Sequence, residues 1–182
     1  MKYNQTKLKD VFIIEPTVYK DSRGFFLESF NQKKFNEITY ESKNFCQDNH
    51  SMSHKGALRG LHYQLPPNAQ AKLVRVIQGE VFDVIVDLRL SSETYGQWFG
   101  IILSAENKKQ LWIPEGLAHG FLTLSETAEF VYKTTDYYAP ETERCIIWHD
   151  ETINIQWPEK NDLIISEKDQ QGLSFLNAPK FD

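Results

Sequence analysis

The feature that most constrains this chain is a two-residue alternation of apolar and polar positions, recurring in short stretches cut apart by turn signals. Val11–Val18, Leu73–Ile77, Val81–Leu88, Gly100–Leu103, Gln110–Ile113, Glu129–Thr134 and Ile146–Trp148 carry it most clearly. An apolar residue at every second position gives a strand one face for a core. Gly79-Glu80, Pro66-Pro67-Asn68 and Pro114-Glu115-Gly116 punctuate the runs. Lys33–Ile38 and a few residues near Asp169–Leu173 read as short helices. Nothing repeats and no low-complexity linker interrupts the chain. Many short strands with few helices predict an all-β sandwich or small barrel. Its 182 residues suit one domain, residues 1–182, with a sizeable core.

Strand parity already bears on function. In Val81–Leu88, residues 82, 84, 86 and 88 form one apolar face, which puts Asp83 on the other with Val81 and Ile85. If that face lines a pocket, Asp83 is a buried charge that needs a partner. The alternative is a half-exposed surface carboxylate.

Charge and cysteine content exclude several classes. The net charge of −5 argues against a broad nucleic-acid-binding surface and leaves room for a local basic pocket. Cys46 and Cys145 share no metal-knuckle spacing and set no disulfide framework, so free thiols in a reducing compartment are expected. The first residues, Met1 to Lys7, lack the apolar core of a signal peptide, and no segment approaches the roughly 18 apolar residues of a membrane span. A cytoplasmic protein is expected.

Candidate chemistry gathers at Gly56-Ala57-Leu58-Arg59-Gly60-Leu61-His62-Tyr63-Gln64. Arg59 is a cation, His62 can exchange a proton near neutral pH, and Gly60 permits a tight backbone path between them. In an extended segment His62 and Gln64 share a face, and Lys72 opens the next strand on the face of Val74 and Val76. A lone histidine is more often structural than catalytic. A metal-binding barrel would show His-x-His and a nearby carboxylate; here Gln64 takes the second position and His119 stands apart, a poor donor set. His50 and His54 fall in a polar, loop-like run. Tyr132, on the face of Phe130 and Thr134, and Tyr137 and Tyr138 beside Pro140 are further proton-transfer candidates, with packing as the alternative.

A set of motifs in register carries a resemblance. Gln47-Asp48-Asn49-His50-Ser51, Gly56 to Gln64, Pro66-Pro67 and Gln70-Ala71-Lys72-Leu73-Val74 open it. Gly79-Glu80-Val81-Phe82-Asp83-Val84, Asp87-Leu88-Arg89 and Thr94-Tyr95-Gly96-Gln97-Trp98 continue it. Pro114-Glu115-Gly116-Leu117-Ala118-His119-Gly120-Phe121, Tyr132-Lys133-Thr134 and Ser166-Glu167-Lys168-Asp169 complete it. In this order, across nearly the whole chain, they resemble the dTDP-4-dehydrorhamnose 3,5-epimerase family. The resemblance implies a cupin-type jelly-roll β-barrel with a few short helices, usually a homodimer, with no metal or organic cofactor. The implied substrate is dTDP-4-dehydro-6-deoxy-D-glucose, a dTDP-4-keto-6-deoxy sugar nucleotide, and the product feeds dTDP-L-rhamnose synthesis. By motif, His62 resembles the catalytic base, Tyr132 the acid, Asp169 the carboxylate paired with the base, and Lys72 the lysine that stabilises the enolate oxygen. Arg23 and Glu28 match nucleotide contacts that often reach in from the partner subunit. Gln47, Asp48, Asn49, Arg59, His119, Glu143 and Lys168 match ligand contacts, Tyr138 resembles the aromatic stacked on thymine, and Asp83 matches an interior acid. Glu93, where the family commonly has Pro, and Cys46, where a larger apolar residue is common, are the departures.

The chemistry such a set can run follows from its groups. Carbons flanking a C4 ketone lose a proton to give an enolate, and inversion needs a base on one face and an acid on the other. A His–Asp pair supplies the base. A tyrosine hydroxyl donates to carbon, and a lysine charge at the developing oxyanion is worth roughly 3–4 kcal/mol. Arginines bind a pyrophosphate through charge-assisted hydrogen bonds. A single-site C3 or C5 epimerase, a metal cupin and a non-catalytic sugar-nucleotide-binding module are the rival readings.

Overall fold

The alternating stretches become strands of two facing sheets in the computed structural model of the protein, in which residues 1–39 and 43–182 are described. In chain order the elements are β1 (Lys2–Gln5), β2 (Phe12–Glu15), β3 (Val18–Asp21), β4 (Gly24–Leu27), α1 (Gln32–Thr39), β5 (Gln47–His54), β6 (Ala57–Gln64) and β7 (Lys72–Gln78). There follow β8 (Glu80–Asp87), β9 (Trp98–Ser104), β10 (Gln110–Ile113), β11 (Leu117–Thr123), β12 (Thr127–Thr134), β13 (Glu143–Cys145), β14 (Ile164–Ile165) and α2 (Glu167–Gln170). The first sheet runs β1-β2-β10-β7-β12-β5 and the second β13-β6-β11-β8-β9. β14 adds to β6 in parallel, and β3 and β4 form a separate hairpin. Such an interleaved antiparallel double sheet is the cupin-type jelly roll.

Three apolar layers follow from the alternation. Val74 and Val76 of β7, Val81 and Ile85 of β8, Phe121 of β11 and Phe130 of β12 meet between the sheets. The opposite parity of the second sheet, Val84 and Val86 with Leu58, Leu61 and Tyr63, is sealed by the C-terminal segment through Ile153, Ile155, Trp157 and Phe175. Phe35 and Ile38 of α1 cover Trp112, Ile14 and Leu73 on the outside of the first sheet.

Several expected boundaries move. The Val11–Val18 run is two strands, broken at Pro16-Thr17, because proline lacks the ladder N–H. Ile146–Trp148 is not a strand of its own: Ile146 exchanges backbone hydrogen bonds with Leu61 just past β13, bridges to Leu173, and puts its side chain in the C-terminal core. The helix expected near Asp169–Leu173 begins earlier, at Glu167, where the Ser166 hydroxyl caps it by accepting from the Asp169 amide. The polar run holding His50 and His54 is strand β5, not a loop.

Candidate active site

A cavity of ≈ 510 Å³ opens between the sheets, and its walls come from both. β6 and β11 of the second sheet contribute Arg59, His62 and His119, while β7 and β12 of the first contribute Lys72 and Tyr132. α2 closes one side with Lys168 and Asp169.

The strand β6 aims its two polar residues inward through a change of phase. Leu58 and Leu61, three apart, both point into the C-terminal core, so Arg59 and His62, also three apart, both face the cavity. The ladder register with β11 slips between His119 and Phe121 at this point. Gly60 makes the slip possible, because its φ is +111° and a Cβ there would meet the Gly120 Cα and His119 oxygen at 2.6 Å.

Two His–carboxylate pairs result. His62 Nε2 lies 2.6 Å from Asp169 Oδ1, and the Gly60 amide donates to Asp169 Oδ2 at 3.1 Å. Burial alone would raise the Asp169 carboxyl. The His62 hydrogen bond and charge, the Gly60 amide and the Ser166 hydroxyl outweigh it and hold the group below the ordinary carboxylate range. The short bond places the hydrogen on Nε2 and leaves the Nδ1 lone pair as the basic position. In the second pair His119 Nε2 lies 2.9 Å from Oδ2 of Asp83, which is 0% exposed. Strand parity therefore gave the right face, and the half-exposed alternative is excluded. Burial raises the Asp83 carboxyl, and the charges of His119 and Lys72 pull it part of the way back. Burial pushes the Lys72 ammonium down to about 8, against the opposing pull of Glu143 and Asp83. Tyr132 is raised, again by burial.

At the mouth, the Tyr138 hydroxyl donates to Glu143 at 2.7 Å, Lys168 pairs with the same carboxylate, and Gln47 accepts from the Tyr138 amide at 3.1 Å. Gln47 in turn donates to Asn49 at 3.0 Å. Other expected residues stand apart. Asp48 points to the outside of the first sheet and pairs with Lys133 at 2.9 Å. Arg23, its side chain 88% exposed, pairs with Asp21 on the β3–β4 hairpin, and Glu28 pairs with Lys34. Gln64, at the end of β6, shares the face of His62 as expected, but its side chain is tied to the neighbouring loops by bonds to Asn68, Tyr137 and Ala139. Its amide is spent there, so it cannot join a metal set with His62 and His119. Sequence reasoning missed Ser51, Phe121 and Phe130 on the wall and Cys145 behind His62. Only the Ser51 position was within reach, by alternation from Gln47 and Asn49.

Paired imidazole–carboxylate groups, a lysine and a tyrosine around one cavity can move protons to and from a bound carbon acid. The chain matches the family model described as dTDP-4-dehydrorhamnose 3,5-epimerase over residues 5–177. It is 59% identical to the dTDP-4-dehydrorhamnose 3,5-epimerase of Shigella flexneri, over 100% of this chain and 99% of that one. The Legionella pneumophila dTDP-6-deoxy-D-glucose-3,5-epimerase, solved with dTDP-4-keto-L-rhamnose, superposes with a TM-score of 0.95 at 49% identity, covering 98% of this chain and 94% of that one. A 3'-monoepimerase from Streptomyces bikiniensis, solved with dTDP-quinovose, gives a TM-score of 0.88 at 31% identity, covering 94% and 86%. The chain belongs to the dTDP-4-dehydrorhamnose 3,5-epimerase family.

Proposed function

We propose that this protein inverts C3 and C5 of dTDP-4-dehydro-6-deoxy-D-glucose to give dTDP-4-dehydro-L-rhamnose, and that residues 1–182 form the one domain that does so. The observation that carries the mechanism is that His62 and Tyr132 enter one cavity from opposite sheets. His62 takes the proton from carbon with Nδ1, and Asp169 holds the imidazolium that forms. The electron pair moves onto the C4 oxygen, where Lys72 supplies positive charge. Tyr132 delivers a proton to the same carbon from the other side and recovers its own from solvent, to which the His62 imidazolium releases the proton it took. The cycle then repeats at the second carbon. His119, fixed by Asp83, binds the sugar, Arg59 and Lys168 bind the diphosphate, and Tyr138 stacks on the base at the rim, an interaction worth roughly 1–3 kcal/mol. Gln47, Asn49 and Glu143 order that rim.

The working unit in this reading is a cytoplasmic homodimer. On the hairpin that carries Arg23, Tyr19, Phe25 and Phe26 are 63%, 59% and 68% exposed, a patch that a partner subunit would cover. Arg23 and Glu28, remote from their own cavity, would then complete the partner's nucleotide site. Among the described residues no helix is long and apolar enough to cross a membrane.

Turnover in deuterated water decides between two sites and one. Deuterium at both C3 and C5 of the inverted product, read by NMR, is expected. Label at a single carbon would instead make the protein a single-site epimerase and overturn the reading.

A further inference from the structure

Cys145 stands directly opposite His62 in the antiparallel ladder of β13 on β6, so their side chains leave the sheet on the same side. A sulfur, an imidazole nitrogen and an Asp169 oxygen come within 4.8 Å of one another there, and no other such group of three exists among the described residues. Ligand atoms around a tetrahedral zinc ion lie about 2.0–2.3 Å from the metal and therefore about 3.3–3.8 Å apart, so small side-chain shifts close the set. His62 and Asp169 line the open cavity, which gives an ion a route in and a place for a fourth, water ligand. Sulfur with imidazole favours zinc over magnesium or calcium, whose ligands are oxygens.

We propose that His62, Cys145 and Asp169 form an inhibitory site for a thiophilic divalent cation, with Zn²⁺ as the fitting ion. The ion takes the place of the proton between Nε2 and Asp169, and the Cys145 thiol gives up its proton to solvent as the metal–sulfur bond forms. No electrons are transferred. Burial pushes that thiol up to about 12, so the free protein holds a neutral thiol and is not a standing thiolate trap. With a cation on the dyad, Asp169 can no longer stabilise an imidazolium, and proton abstraction stops. The inhibitory consequence, though not the binding, rests on His62 being the base.

The test uses the full chain, stripped with EDTA and then titrated with zinc. The stripped enzyme should be fully active, zinc should inhibit it, and EDTA should restore it. Cys145→Ser should turn over normally and need at least about tenfold more zinc for half-inhibition, since losing even an outer-shell partner of a metal ligand costs about that much affinity. Cobalt, read independently of activity, should give a thiolate-to-cobalt charge-transfer band in wild type that disappears in both Cys145→Ser and His62→Ala. Absence of that band in wild type, its survival in His62→Ala, or equal zinc sensitivity of wild type and Cys145→Ser would each overturn the site. Should Cys145→Ser fail to fold, Cys145→Ala and the wild-type band serve the same purpose. A band of the expected pattern without inhibition would overturn the inhibitory role. Near-normal turnover by His62→Ala would overturn the inhibitory role together with the base assignment, while the cobalt band decides the binding on its own.

Discussion

Burial acts on Lys72 and Tyr132 in opposite senses, and that sets the pH response of the site. A buried ammonium loses its proton more easily, and Lys72 is pushed down to about 8; a buried phenol holds its proton longer, and Tyr132 is raised. The Lys72 charge is therefore present below about 8 and lost above it, while the Tyr132 hydroxyl stays protonated across the same range. The kcat/KM profile, which reports the free enzyme, should fall on the alkaline side near pH 8. Lys72→Arg, permanently charged, should be slower and should lose that limb; an unchanged limb would assign it elsewhere. The two proton-transfer residues should fail differently. His62→Ala should lose roughly 10²-fold or more and exchange no solvent deuterium into substrate. Tyr132→Phe keeps ring and base, so it should wash deuterium into C3 or C5 while making little inverted product. Inversion by Tyr132→Phe at near wild-type rate would hand the acid role to another group. Parity alone put Asp83, Lys72 and Tyr132 on the inner faces of their strands. The partner of each group was not readable, because His62 meets Asp169 and Cys145 across 107 and 83 residues, through tertiary packing and a ladder register that local pattern does not specify.

β6 shows at the scale of an element why some strands were legible and others were not. β7 and β12 alternate because one face meets the inter-sheet core, whereas β8 and β10 are buried on both faces, their second face packing on the C-terminal segment and on α1. β6 breaks its alternation at Gly60, and β5 has no apolar face to show, since Gln47, Asn49 and Ser51 look inward and Asp48, His50 and Met52 look out. A strand whose inner face lines a polar pocket reads as a loop, and β5 was misread for that reason. β11 is buried along its whole length, from Leu117 to Thr123, and so lacks a polar phase as well. The glycine at the break is open to test. Gly60→Ala places a Cβ 2.6 Å from backbone atoms of β11 in a left-handed conformation, where strain alone costs about 1–3 kcal/mol. At about 2–4 °C per kcal/mol for a chain of this size, the melting temperature should drop by several degrees. Activity should fall further than stability explains, because the same slip aims Arg59 and His62 and donates the Gly60 amide to Asp169. A variant as stable and active as wild type would show that β6 reaches its phase without the glycine.

At the scale of the whole molecule, the residues that a single chain leaves idle make the sharpest case. The hairpin of β3 and β4 buries little of itself, exposes Tyr19, Phe25 and Phe26, and holds Arg23 out in solvent, where Asp21 is its one ion-pair partner among the described residues. The exposed Arg23–Asp21 pair adds little to stability. If the hairpin crosses to a second copy, each cavity combines His62 from one subunit with Arg23 from the other. A two-fold arrangement then gives a result that no monomer can. Arg23→Ala and His62→Ala homodimers should each be nearly inactive. Mixed one to one and allowed to exchange, about half the dimers become heterodimers in a symmetric two-fold association, and each of those has one intact cavity and one doubly damaged. Half of the dimers with half of their cavities intact is about a quarter of wild-type activity, recovered from two dead parents. The same mixture of His62→Ala with Tyr132→Phe should recover nothing, because each lesion stays in its own subunit's cavity and the heterodimer has no intact one. Failure of the first pair to complement, with exchange verified by mass-tagged subunits, would place Arg23 in its own subunit's site or outside the site altogether. Recovery by the second pair would mean that His62 and Tyr132 serve different cavities, which the enclosure of both within one chain's pocket forbids.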